Sequence, residues 1–180
     1  MPTAILRRAP RSSKLASGLV RKMADRMLSS LDLVDAELSV LLTDDARIQV
    51  LNRQHRGKDR PTDVLSFPMD ESEAREGARV LGDVVISLDT ALRQARARKR
   101  DLASEVRFLL AHGLLHLVGY DHATAAQKRK MVAATRRLVR AATTFELHVV
   151  RHRKSTQRSA LRPTTKRLQS RNRARARHTK

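Results

Sequence analysis

The sequence from Leu102 to His122, LASEVRFLLAHGLLHLVGYDH, decides how this chain folds. Between Arg107 and Asp121 it contains no charged residue, although the chain as a whole is highly charged. An apolar segment of this length is predicted to form a helix buried at the centre of the fold. His112 and His116 lie one turn apart on the same face of that helix, where both imidazoles can reach one ion.

A third imidazole follows directly. Gly119 is expected to end the helix, because glycine adopts left-handed backbone angles at little cost, and the next turn directs His122 back towards the pair. Three neutral histidines on a tetrahedral cation leave one coordination position open, as in catalytic zinc sites. Structural zinc sites fill all four positions and rely on cysteine, which this chain lacks. Histidines satisfied within the core are the alternative, but burying several imidazoles without a partner is costly. We therefore predict that His112, His116 and His122 hold one zinc ion per chain.

The spacing of these histidines also matches the metzincin protease pattern H-E-x-x-H-x-x-G-x-x-H. Position 113 is glycine, so the glutamate that serves as base in such a peptidase is absent. Either another group acts as the base, or the substrate has a better leaving group than an amine. A phosphodiester fits the second case.

The composition indicates a polyanionic partner. The 180 residues carry a formal net charge of +20, and nucleic acid is the natural polyanion. Residues 149–180 contain 12 Lys and Arg and no Asp or Glu. We predict a folded domain over residues 1–147 and a basic, disordered tail over 148–180.

The lack of cysteine and of any long apolar run favours a cytoplasmic protein that makes no membrane contact. An organellar transit peptide in residues 1–24 is the alternative to a first strand and helix there.

Predicted strands and helices alternate along the chain. Strands are expected near residues 4–6 and at 37–43, 64–67 and 79–87, and helices at 13–30, 44–55, 90–98, 102–118 and 123–142. The acidic stretch 70–77 is predicted to be a surface loop. This order predicts an α/β (α+β) domain, in which helices pack on a small mixed sheet and the histidine helix is central.

Several segments together resemble the bacterial YbeY endoribonucleases, also called rRNA maturation factors. The matching segments are Leu51-Asn52, Arg56–Pro68 (RGKDRPTDVLSFP), Leu81–Ile86 (LGDVVI) and His112–His122. Their order and spacing also agree, so the resemblance covers about residues 35–125. It implies a single-strand-specific, metal-dependent RNase. Such an enzyme acts on the RNA of the small ribosomal subunit, in 16S rRNA 3′-end maturation and in ribosome quality control.

The resemblance also implies which residues form the site. The three histidines are then the zinc ligands, and Arg56 matches the functional arginine of the family. A guanidinium stays charged and offers forked donors to phosphate, so Arg56 is predicted to be catalytic and to bind the scissile phosphate. Nearby Lys58 and Arg60 are predicted to be further substrate contacts. A solvated arginine at a helix C-terminus is the alternative for Arg56.

The chain departs from the family in three places. His55 stands where relatives often have tyrosine, and we expect an exposed side chain there. The helix after His122, often acidic in relatives, carries Gln127-Lys128-Arg129-Lys130 and Arg136-Arg137, and the basic tail exceeds the usual length.

Asp121 is predicted to be a turn residue or a partner of the histidines rather than the base. The leading hypothesis is a zinc-dependent endoribonuclease, with a metalloprotease or a nonenzymatic ribosome-assembly factor as alternatives.

Overall fold

A four-stranded sheet is the frame of the structure. The computed structural model describes residues 3–8, 15–69 and 79–160, with the backbone alone for 144–160. The strands are β1 (Thr3–Arg7), β2 (Glu37–Thr43), β3 (Val64–Pro68) and β4 (Val80–Ser87), in the spatial order β1-β2-β4-β3. Strands β1, β2 and β4 are parallel, whereas β3 pairs antiparallel with β4. The predicted small mixed sheet is therefore confirmed.

Five helices are described with this sheet. They are α1 (Ser17–Ser29), α2 (Asp45–Arg56), α3 (Leu88–Ala97), α4 (Leu102–Leu117) and α5 (Ala125–Ala160). The carboxylate of Asp44 caps α2 by accepting from the Arg47 backbone N–H at 2.9 Å, and the Ser87 hydroxyl caps α3. Such caps satisfy backbone donors that have no partner within the helix. The chain divides into two units, residues 1–144 and 145–180.

The two faces of the sheet bury different helices. Strand residues alternate between faces, so Val84 and Ile86 of β4 join the larger core, which α1 and α4 complete. Val85 points to the other face, where it packs with Ile48 of α2 in a smaller core. The predicted α+β architecture with packed helices is confirmed.

Helix α4 is the central helix of the larger core. It contacts α1, α3, β3 and β4, and its residues Leu109, Leu110, Leu114 and Leu115 are at most 2% exposed. Burying one leucine side chain completely stabilises the fold by about 1.5–3 kcal/mol. This packing fixes the position of the two histidines that the same helix carries.

Helix α5 differs from the sequence prediction, which ended it near Ala142. Its backbone remains helical to Ala160. The extra residues contain no glycine or proline, so intrinsic propensity favours helix even where apolar periodicity has disappeared. Thus 148–160, the first part of the predicted tail, has a helical backbone. The remainder, 161–180, lies outside the described residues, as does the predicted loop 70–77.

Within residues 1–24, for which a transit peptide was the alternative, 3–7 form β1 and 17–24 belong to α1. Strand β1 pairs with β2, and α1 buries Val20, Met23, Ala24, Met27 and Leu28. None of the helices in the described part of the chain has the length and apolar character of a membrane span.

Candidate metal centre and its cavity

Helix α4 and the turn after it bring three imidazoles together. His112 and His116 face the same side of the helix, as their spacing predicts. The helix ends at Leu117, and Gly119 adopts the left-handed φ of 87° that an L side chain disfavours. Its backbone N–H donates to the His116 carbonyl at 3.1 Å. This turn returns the chain towards the helix and places His122 beside the other two histidines.

The three side chains form one compact group of ligands. One nitrogen from each of His112, His116 and His122 lies within 4.8 Å of the other two. The ring centroids are 4.9 Å apart for His112 and His116, 5.2 Å for His116 and His122, and 5.9 Å for His112 and His122. This group could hold a single metal ion, and its donors are all imidazoles. Such donors suit zinc and other borderline transition metals.

Burial favours the neutral form of two of the imidazoles. It is the largest cause that lowers the pKa of His112, and the neighbouring His116 and His122 lower it further, while Asp63 opposes them. Burial also lowers the pKa of His116, as do His122 and the Arg56 guanidinium. Metal ions bind the neutral form of imidazole, so the fold prepares both residues for coordination.

Asp121 shapes the turn that carries the third imidazole. Its Oδ1 accepts from the His122 backbone N–H at 2.7 Å and lies 3.9 Å from His122 Nδ1. The side chain of His122 is 55% exposed, so the group is open to solvent on this side. Asp121 therefore acts in the structure as a turn residue next to the imidazole.

Gly113 allows α4 to lie directly on the sheet. A Cβ at this position would be 2.8 Å from Val84 Cγ1, 3.1 Å from Ser66 Oγ and 3.2 Å from Val64 Cγ2. The Ser66 hydroxyl also donates to the Gly113 carbonyl at 3.0 Å. A side chain at position 113 would therefore meet β3 and β4 at its first atom. A glutamate at this position would therefore have to displace Val84 or move α4 away from the sheet.

Arg56 and Lys58 line the same cavity as the histidines. The cavity has a volume of about 750 Å³, and its wall includes the three imidazoles, β3 and the C-terminal end of α2. Arg56 is the last residue of α2, which Gly57 ends in the left-handed conformation. Its guanidinium is the smallest of the causes that lower the pKa of His116, so the Arg56 charge reaches the histidine group.

The loop after α2 is held by hydrogen bonds to that helix. Asn52, only 3% exposed, donates through Nδ2 to the Arg60 carbonyl at 2.8 Å. Gln49 Nε2 donates to Asp59 Oδ1 at 3.0 Å. The side chain of Arg60 is exposed and is not among the described residues that line the cavity. The structure therefore brings Arg56 and Lys58 to the histidines and leaves Arg60 outside.

Comparison with known proteins agrees with this site. The model of the family described as endoribonuclease YbeY matches residues 8–143, which include every residue of the cavity. The chain belongs to the YbeY family. It is 51% identical over 132 residues to endoribonuclease YbeY of Anaeromyxobacter sp. (strain Fw109-5), covering 73% of this chain and 67% of that protein. Identity to endoribonuclease YbeY of Aquifex aeolicus (strain VF5) is 50% over 117 residues, covering 65% of this chain and 77% of that protein.

A solved structure supports the fold of this YbeY chain. The solution structure of a Thermotoga maritima protein is similar with a TM-score of 0.55 and 27% sequence identity. The similarity covers 78% of this chain and 88% of that protein.

Two cavity residues make contacts that the sequence did not predict. Asp63 accepts at Oδ1 from the Val64 backbone N–H at 2.9 Å and at Oδ2 from Gln94 Nε2 at 3.0 Å, so it ties the loop to α3 beside His112. His55 is exposed, as expected, and its ring also packs edge-on against Phe67, with ring centroids 4.8 Å apart, and lines the cavity. Both contacts join separate segments, and local sequence carries no signal for them.

Proposed function

We propose that this YbeY-family chain is a zinc-dependent endoribonuclease that hydrolyses single-stranded RNA. One observation carries the proposal: the three-histidine group lies in a cavity that two cationic side chains, Arg56 and Lys58, also line. Ligands for a metal and donors for a phosphate are thus combined in one open site. The family match supports the choice of RNA as the substrate.

The ligand set fits one zinc ion. His112, His116 and His122 would hold it through neutral nitrogens, and burial of the first two favours the neutral form. The described part of the chain adds no fourth ligand to this group, so a coordination position would stay open, as in catalytic sites. When bound, zinc supplies Lewis acidity and lowers the pKa of a coordinated water to about 7.

Arg56 is proposed to bind the scissile phosphate. Its position at the capped end of α2 restricts where the guanidinium can reach, because the following loop is fixed to the same helix. The planar fork donates two hydrogen bonds to phosphate oxygens and stabilises the negative charge that grows during hydrolysis. Lys58 adds a second positive charge in the same cavity. Arg60 is proposed as a more distant contact to the RNA backbone.

The packing of Gly113 argues against a metalloprotease. Peptidases with this histidine spacing use a glutamate at the second position of the pattern as their base. Here that position touches Val84, Ser66 and Val64 as soon as a Cβ is added. The site therefore lacks the group that peptide hydrolysis needs, while a phosphodiester requires less assistance at its leaving group.

The cellular role we propose is 16S rRNA 3′-end maturation and ribosome quality control on the small ribosomal subunit, in the cytoplasm. The family supports the ribosomal RNA substrate, and the net charge of +20 favours a large polyanion.

The proposal is tested by offering two polymers to the zinc-loaded protein. Labelled single-stranded ribosomal RNA and casein are incubated with wild type and with His116→Ala. We expect wild type to cut RNA and leave casein intact, and His116→Ala to cut neither. Casein cleavage would indicate a protease. RNA binding without cleavage by wild type would indicate an assembly factor that is not an enzyme.

A further inference from the structure

A second cavity adjoins the histidine group. It has a volume of about 580 Å³ and lies between α4 and the part of α5 before Ala141, and we call it the α4–α5 groove. Phe108, His112 and His122 line both this groove and the cavity that contains Arg56. The two cavities therefore meet at the candidate metal centre, so one extended ligand can occupy both.

The rim of the groove is cationic. Lys128, Val132, Arg136 and Arg140 line it at intervals of four residues along α5. On an α-helix this spacing places side chains on one face, about 6 Å apart along the axis. Arg100 adds a fourth positive charge from the turn between α3 and α4. None of the described residues that line the groove is acidic, so an anionic occupant is favoured.

The floor of the groove is apolar. Met131 is 2% exposed, and the Thr135 hydroxyl donates to the Met131 carbonyl at 2.8 Å, so it is satisfied within the helix. Val132 is 42% exposed and presents apolar surface beside the cationic side chains. The Phe108 ring lies nearly parallel to that of His112, at an angle of 12° and a centroid distance of 6.2 Å. This floor suits a flat apolar group.

A single-stranded nucleotide has both features that the groove requires. Its phosphate is anionic, and its base has an apolar face that stacks on apolar and aromatic side chains. The carboxylate side chains of an acidic peptide match the rim but provide no apolar face for the floor. An inorganic anion leaves the floor exposed to water.

We propose that the α4–α5 groove is a second RNA subsite, which binds a nucleotide flanking the scissile phosphate. The base lies on Val132 and Phe108, and the adjacent phosphates contact Lys128 and Arg136. The strand then passes His112 and His122 into the cavity that contains Arg56. This inference rests on the proposed function and adds where the substrate extends beyond the cleaved bond.

The test compares two double variants of α5 that lose the same charge. Lys128→Ala/Arg136→Ala removes two groove residues, whereas Arg129→Ala/Lys130→Ala removes two exposed cations that do not line the groove. Fluorescence anisotropy measures the Kd of a labelled 2′-O-methyl oligonucleotide, which resists cleavage, at several salt concentrations. A second strand of equal length carries abasic sites in place of several nucleotides. Steady-state cleavage of the unmodified RNA gives kcat and KM for each protein.

We expect Lys128→Ala/Arg136→Ala, the groove variant, to bind the oligonucleotide about tenfold more weakly than wild type, as for the loss of two exposed phosphate contacts. The Kd of Arg129→Ala/Lys130→Ala, the control variant, should stay within about twofold of the wild-type value. The log–log salt slope should become shallower by up to about 1.4, because each single-strand contact contributes about 0.7. KM should rise while kcat at saturating RNA is unchanged. Wild type should bind the abasic strand more weakly than the complete one, and Val132→Ser should reduce that difference.

Three results would overturn the inference. The first is an equal loss of affinity in the two double variants. The second is that wild type binds the complete and the abasic strands with equal affinity. The third is that poly-glutamate, at the same concentration of charge, displaces the RNA. The last result would identify an acidic protein as the occupant. Failure of the proposed function gives a different pattern, since wild type would then leave RNA uncut while the binding comparison still reports on the groove.

Discussion

Replacing Gly113 with alanine tests how closely α4 lies against the sheet. The added Cβ would be 2.8 Å from Val84 Cγ1, and Val84 is fully buried in β4. Overpacking a filled core costs about 1–3 kcal/mol. Exchanging glycine for alanine within a helix returns up to about 1 kcal/mol. We therefore expect Gly113→Ala to lower the free energy of unfolding by about 1–2 kcal/mol, and Tm by about 2–8 °C for a unit of this size.

Gly18→Ala is the matched control. Gly18 lies in α1, and a Cβ there would have nothing within 4 Å, so this variant should be as stable as wild type or slightly more stable. Thermal and urea unfolding measure the difference in the free energy of unfolding between the two variants. The proteins are metal-free, so a bound ion makes no contribution. If Gly113→Ala matches Gly18→Ala in stability, the close packing of α4 on β3 and β4 is wrong, and with it our reason for excluding a glutamate at this position.

Four further predictions address the site and the tail. Arg56→Ala should retain the fold and the metal but lose RNA cleavage. Arg56→Lys should restore only part of kcat/KM, because an ammonium cannot donate the two parallel hydrogen bonds of a guanidinium. Full activity in Arg56→Ala would remove this residue from the mechanism. Elemental analysis should find about one zinc per chain in wild type and none in His112→Ala, and equal contents would refute the ligand assignment. Because burial lowers the pKa of His112 and His116, the unfolded chain binds more protons in acid. The contribution of these two histidines to the stability of the metal-free protein should thus be fully present above about pH 6.5 and decrease below it. An equally steep loss of stability in acid for His112→Ala/His116→Ala would contradict this. Deleting residues 149–180 should weaken binding to RNA of any sequence and make the log–log salt slope shallower by up to about 0.7 per lost phosphate contact. The cleavage rate at saturating RNA should not change. Unchanged affinity and salt slope would indicate that the tail only improves solubility.

Features with a local cause could be predicted from the sequence. The cap at Asp44, the end of α2 at Gly57 and the turn at Gly119 each depend on a few adjacent residues. The one-turn spacing of His112 and His116 similarly requires only that the segment be helical. The core of the metal site was therefore predictable before any tertiary contact was known.

Features with a tertiary cause could not be predicted in this way. The bond from Gln94 to Asp63 spans 31 residues, and no periodic pattern signals it. Sequence shows that residue 113 is glycine, but only the approach of Val84 and Ser66 explains why a side chain is excluded. The cationic spacing on α5 is visible in the sequence, yet only the structure shows that the part of α5 before Ala141 lines one groove with Phe108, His112 and His122.

The most direct test of the central claim is the zinc titration of metal-stripped protein with a labelled single-stranded ribosomal RNA as substrate. We predict no cleavage without zinc, and a rate that rises with added zinc and reaches its plateau at about one equivalent per chain. Cleavage by the metal-stripped protein at the full rate, or no cleavage at any zinc concentration, would contradict the assignment of the three histidines to a metal-dependent endoribonuclease.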